Sequence, residues 1–181
     1  IPREAYLLAE KYWPGPLTMI FNKSDVVPYA TTGGLDTVAV RMPSNRTARA
    51  LIDAAGGYVA APSANRSGRP SPTVAKYVIE DLNGQIEMII DGGEVNIGLE
   101  STIIDLSESR PTILRPGYIT EEMLEEAIGQ VDVDKTIIDN HSGQAPKAPG
   151  MKYRHYAPKG NLTIVEGEPS AVVEYINDQV E

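Results

Sequence analysis

The chain has 181 residues, 41% of them hydrophobic, enough for one domain with a core and part of another. A net charge of −9 argues against a general nucleic-acid binder, whose phosphate contacts need a basic face, so any anionic ligand must be held by a local cluster of positive groups. With no cysteine and only His141 and His155 as histidines, the chain offers no disulfide, no thiolate nucleophile and no zinc pair at helical spacing. No metal site is expected in it, and the missing cysteine fits a cytoplasmic protein.

No apolar run approaches the ~18 residues of a membrane span. The start, Ile1-Pro2-Arg3-Glu4, shows no basic region followed by an apolar one, so no secretion signal is read, and without an initial methionine the chain reads as a piece of a longer protein.

In chain order, Ala5, Leu8, Ala9 and Tyr12 form one helical stripe over residues 3–12, which Pro14-Gly15-Pro16 ends. Residues 17–21 and 37–42 read as strands, with a turn at residues 31–34 between them. A second helix spans 47–55 and closes at Gly56-Gly57. Residues 58–61 read as a buried strand. A polar loop, Ala61 to Thr73, follows, and Pro72-Thr73 opens a third helix to about Leu82. Strands are expected at 86–90, 101–106 and 112–114. Thr120 is placed to cap a helix over 121–128, with Glu121 and Glu122 in its first turn. A strand near 131–138 completes the pattern.

Strands alternating with helices predict an α/β fold, and runs of consecutive strands make its twisted sheet mixed. Residues 139–161 break the rhythm as a linker, and residues 162–181 read as the start of a second α/β domain, a strand over 162–165 and a helix over 171–176.

There is no P-loop, no G-x-G-x-x-G after a strand and no nucleophile elbow. The loop "APSANRSGRPSPT" offers another route to an anion: hydroxyls, the Asn65 amide, backbone amides near Gly68 and the charges of Arg66 and Arg69. Its plainer reading is that Ser63 and Asn65 make local turn bonds and that Ser71 or Thr73 caps the helix. Ser101, in Glu100-Ser101-Thr102, is either a strand-edge hydroxyl or a contact to a small substrate. Arg41, ending the run Val38-Ala39-Val40, either snorkels to solvent or clamps a carboxylate. Arg115 in Leu114-Arg115-Pro116-Gly117 repeats that pattern. All of these lie where an apolar strand ends, the place where open α/β sheets bind ligands. Ser63, Asn65, Arg41, Ser101 and Arg115 are therefore expected to converge on one concave, anion-binding face.

The stretches "KYWPGPLT" (11–18), "APSANRSG" (61–68), "ESTIID" (100–105) and "LRPG" (114–117), in this order, resemble the YrdC-like threonylcarbamoyl-AMP synthases over residues 1–130. "APGMKYRHYAP" (148–158) resembles the interdomain linker of the family's two-domain members. The resemblance implies an enzyme that joins L-threonine, bicarbonate or CO2, and ATP (with Mg2+) into threonylcarbamoyl-AMP and pyrophosphate, the step before t6A-transfer machinery modifies tRNA. It implies a YrdC-like sheet with a concave ligand face, the catalytic domain running to residue 138. On the ATP side it places Thr37, Ser63, Asn65 and Ser71, with Arg115 at the phosphates. Tyr153, Arg154, His155 and Tyr156 of the linker would reach over the nucleotide, as a lid or merely as a docked spacer. Arg41, Ser101 and the backbone at Ala61 would hold threonine.

The family's upstream Lys-x-Arg segment is not in this chain, so the parent protein is expected to be the synthase and this polypeptide alone to be deficient. No general base is identifiable. Two rivals stand: an RNA-binding module of YrdC type, which would need basic and aromatic residues interleaved beyond Lys152 to Tyr156, and a related carbamoyl-transfer domain, against which the cysteine-free linker argues.

Overall fold

The computed structural model describes residues 1–134 and 163–180. Helix α1 (Arg3–Tyr12) buries Ala5, Leu8 and Tyr12 and stops at Trp13-Pro14. The next strands are β1 (Leu17–Asn22) and β2 (Thr37–Val40), separated by the single-turn helix α2 (Tyr29–Thr32) where the sequence predicts a turn. Helix α3 (Arg46–Ala54) starts at Asn45, whose Oδ1 accepts from the Ala48 amide at 3.0 Å. Helix α4 (Ala75–Leu82) follows the polar loop, then come β3 (Thr102–Asp105), β4 (Thr112–Arg115), α5 (Glu121–Ile128) and β5 (Asp132–Val133). Helix α6 (Pro169–Val180) lies in the later described segment and is longer than the sequence pattern predicts.

The strands form one open sheet in the order β2-β1-β3-β4-β5. β1 runs antiparallel to β2 and parallel to β3, β3 antiparallel to β4, and β4 parallel to β5, so the sheet is mixed as expected. One face carries Leu17 and Met19, Ile104 and Ile113, and packs on Leu8 of α1 and Leu124 of α5. Two contacts lock those helices together: Lys11 Nζ to Glu126 Oε2 at 2.9 Å, and the Tyr12 hydroxyl donating to the Met123 carbonyl at 2.5 Å. The other face buries Ile20, Ile103 and Leu114. Every buried hydrophobic residue described precedes residue 21 or follows residue 102.

Two glycines are fixed by close approach. A Cβ on Gly117 would meet the Glu100 carbonyl at 2.6 Å and the Thr102 amide at 2.7 Å, and one on Gly15 would meet the Tyr12 carbonyl at 2.3 Å. These are the glycines of the "LRPG" and "WPGP" stretches, so both motifs are turns pressed against neighbouring backbone. Buried Thr102 secures the first of them, donating to the Ile119 carbonyl at 2.7 Å and accepting from its amide at 3.1 Å.

Three expected strands are absent. Residues 58–61 and 86–90 carry no strand, and most of their large apolar side chains are exposed, Tyr58 at 86% and Met88 at 74%. Residues 163–165 likewise have none. An apolar run becomes a strand only when a neighbour takes its backbone hydrogen bonds, and among the described residues these segments have no such neighbour.

Candidate functional site

The site begins with the register of the sheet. Met19 lies opposite Val40, Leu17 beside Thr102, and Ile103 opposite Arg115. The C-terminal ends of β2 and β4 and the N-terminal ends of β1 and β3 therefore share one edge. That edge collects Arg41, Thr18, Ser101 and Arg115.

A register shift in the β3–β4 pair sets the aim of Arg115. Ile104 pairs with Ile113 but Ile103 pairs with Arg115, so Leu114 is an extra residue in β4. A bulge of this kind re-aims the side chains beyond it. Arg115 is thereby turned to the face of Ile103, which is also the face of Ser101 two residues earlier. The guanidinium grips Ser101 at three points: Nε and Nη2 donate to its carbonyl at 3.0 and 2.9 Å, and Nη2 to its Oγ at 3.1 Å. Ser101 is buried, and its hydroxyl shares a 2.7 Å hydrogen bond with Thr18 Oγ1. Thr18, the last residue of "KYWPGPLT", is the member of this group that sequence reasoning passed over; its register beside the Ser101 strand is what reveals it.

Arg41 lies just beyond β2 in an open groove of about 720 Å³, lined also by Trp13, Met42, Arg46, Arg49 and Asp53. Trp13 is held by its indole N–H to the Leu17 carbonyl at 2.7 Å, and the Gly15 amide donates to the Met42 carbonyl at 2.9 Å. The "WPGP" turn thus forms the groove's rim. Three arginines against one aspartate make this groove locally positive in a chain of net negative charge. Thr37 sits at the opposite end of β2, paired with Asn22, and is not part of this edge.

Asn65, in the polar loop with Ser63 and Ser71, is positioned by other contacts. Asn65 Nδ2 donates to the carbonyls of Arg66 and Arg69, each at 3.0 Å. Its Oδ1 is buried without a partner among the described residues. Arg66 and Arg69 are not idle phosphate ligands, since both are engaged by Asp81 of α4. Neither Ser71 nor Thr73 caps that helix, whose N-cap is Val74. The loop is tied back through Thr73, whose carbonyl accepts from the Val95 amide at 3.0 Å, while Asn45 Nδ2 donates to the Gly92 carbonyl at 2.9 Å. Segment 92–95 therefore bridges the loop and the helix that lines the groove. Ala61 is exposed. Tyr153, Arg154, His155 and Tyr156 lie outside the described residues.

The structure brings Thr18, Ser101 and Arg115 into contact at the strand ends, and ties Asn65, Arg66 and Arg69 of the polar loop to Asp81 or to one another. Open α/β sheets bind ligands outside their strand ends, and in this mixed sheet that is where the arginines and hydroxyls gather. The chain belongs to the Sua5/YciO/YrdC family: that family's model, described as telomere recombination, matches residues 1–117. A second model, the C-terminal domain of threonylcarbamoyl-AMP synthase, matches residues 119–180.

The chain is 52% identical over 99% of its length to the threonylcarbamoyl-AMP synthase of Pyrococcus abyssi, and 47% identical over 98% to that of Bacillus subtilis. It spans about half of these curated relatives, 53% and 51% of their lengths. Among solved structures it resembles P. abyssi Sua5 complexed with L-threonine, with a TM-score of 0.90, 52% identity, and coverage of 99% of this chain and 53% of that one. It also resembles E. coli YciO, with a TM-score of 0.58 and 28% identity over 65% of this chain and 58% of that one.

Proposed function

We propose that the protein, in the full length its gene encodes, condenses L-threonine, bicarbonate or CO2, and ATP into threonylcarbamoyl-AMP and pyrophosphate. The product would supply the cytoplasmic machinery that places t6A on tRNA. The likeness of nearly the whole chain to a threonine-bound synthase structure carries this reading.

In it, the Arg41 guanidinium takes the threonine carboxylate, and Ser101, with the backbone at Ala61, orients the substrate. Arg115 meets the phosphates. Its contact with Ser101 supports the assignment, because the two reacting ends must meet: the threonine amine attacks CO2, and the resulting carbamate oxygen attacks the α-phosphate as pyrophosphate leaves. Thr18 steers the Ser101 hydroxyl from the other side. Ser63, Asn65 and Ser71 form the ATP side, joined by Thr37 and by Tyr153, Arg154, His155 and Tyr156. Such steps need close positioning and charge neutralisation at phosphate more than a covalent nucleophile. Mg2+ would arrive on the ATP phosphates as part of the substrate.

The test is pyrophosphate release by the gene-encoded protein. Release should require threonine and bicarbonate together. Serine, lacking one methyl, should be slower by ~10- to 200-fold. Arg41→Ala should raise the threonine KM by about tenfold or more, the loss of one charged hydrogen bond. Release without bicarbonate would defeat the reaction assignment, and an unchanged threonine KM would move the carboxylate site elsewhere.

A further inference from the structure

Asp81 is among the few buried charged residues described, 5% exposed on α4, and its contacts all serve the polar loop or its own helix end. Oδ2 accepts the backbone N–H of Arg66 at 3.1 Å, and Oδ1 takes the Arg69 guanidinium. The Asp81 carbonyl accepts from Arg66 Nε at 3.1 Å and from Gln85 Nε2 at 3.0 Å. The Arg69 amide donates to the Arg66 carbonyl at 3.0 Å, closing the turn. The two carbonyls that this turn presents, of Arg66 and Arg69, are the acceptors of Asn65 Nδ2. Because both partners are acceptors, the amide orientation is determined: nitrogen inward, oxygen away from the turn. The oxygen so placed, Asn65 Oδ1, is the buried side-chain atom left without a partner among the described residues. An unpaired buried acceptor is costly, and a ligand N–H or O–H would relieve it.

We propose that Asp81 is a positioning residue for the nucleotide, folding residues 65–69 so that Asn65 Oδ1 faces a donor of ATP, its exocyclic amine or a ribose hydroxyl. This rests on the reading above that the loop contacts ATP. The two loop arginines, on this account, hold the loop's shape and do not clamp phosphate. A carboxylate on the neighbouring helix acts on the substrate only through the loop.

The experiment uses the gene-encoded protein as wild type, Asp81→Ala, Asp81→Asn and Asn65→Ala, with KM for ATP, KM for threonine and kcat read from pyrophosphate release. Trypsin cleavage after Arg66 reports loop order, since Arg69 precedes a proline and resists that protease. Asp81→Ala is expected to raise the ATP KM about tenfold or more, to leave threonine KM and kcat within about threefold, and to speed the cut after Arg66. Asp81→Asn keeps an acceptor for the Arg66 amide but loses the ion pair, and should fall between; it decides the matter if the alanine variant does not fold. An Asp81 variant with unchanged ATP KM, beside an Asn65→Ala that raises it, overturns the proposal and spares the nucleotide site. Equal changes in every kinetic parameter with a lowered melting temperature also overturn it, as general destabilisation. An Asn65→Ala with unchanged ATP KM removes the nucleotide reading itself.

Discussion

Asp81 shows how much one residue can decide here. The Arg66 backbone amide, against the opposing effect of burial and with help from the Arg69 guanidinium, holds its carboxyl below the usual carboxylate range. A depressed folded pKa stabilises the native state fully above the unfolded value, near 3.9, and that contribution disappears as pH falls through the folded value. The melting-temperature gap between wild type and Asp81→Asn should therefore be constant from neutral pH down to about 5 and close below about 4. A gap that persists at low pH would place the stabilisation in something other than the charge. The sequence showed the arginines of this loop but not their occupation, because an aspartate fifteen residues further on reaches Arg66 only once α4 lies against the loop. Thr18 was hidden for a similar reason. Its partner, Ser101, is eighty-three residues away and becomes a neighbour only through the pairing of β1 with β3.

At the scale of elements, legibility followed self-sufficiency. α1 and α5 carry their own apolar stripes and stops, and the predicted Thr120 cap exists, its Oγ1 accepting the Met123 amide at 3.3 Å. The expected β1 to β4 all appear, with ends shifted by at most two residues. Residues 58–61 and 86–90 have equally strand-like compositions and formed nothing, because a strand is a property of a pair and composition describes only one partner. α5 matters because it closes the sheet face opposite the site. Leu124, fully buried between α5 and the sheet, is the position where that closure concentrates. Leu124→Ala should cost about 2–5 kcal/mol, the range for a buried leucine that leaves a cavity. A denaturant titration would measure it, and a loss under ~1 kcal/mol would mean that the two helices re-pack freely over the gap.

The whole molecule divides by role along its sequence. Residues up to 20 and from 103 onward supply the buried hydrophobic core, while the stretch between β1 and β3 bears the groove arginines and the polar loop and buries no hydrophobic side chain. The family resemblance was legible in motifs from both parts, since "WPGP", "ESTIID" and "LRPG" frame the core and "APSANRSG" belongs to the stretch they enclose. Their joint geometry was not, because it depends on which strand ends the sheet brings to one edge. The separation has a mechanical consequence. A break in the loop leaves the halves of the core still clasped by β1 against β3 and α1 against α5. With a specific protease site placed between Ser67 and Gly68, the cut chain should migrate as one particle on a native gel and as two fragments in denaturant. Separation without denaturant would show that the covalent thread through the loop holds the halves together. If the halves stay joined, they could be made as two polypeptides and allowed to find each other, and the stretch that bears the groove arginines and the polar loop could be exchanged for another without rebuilding the frame.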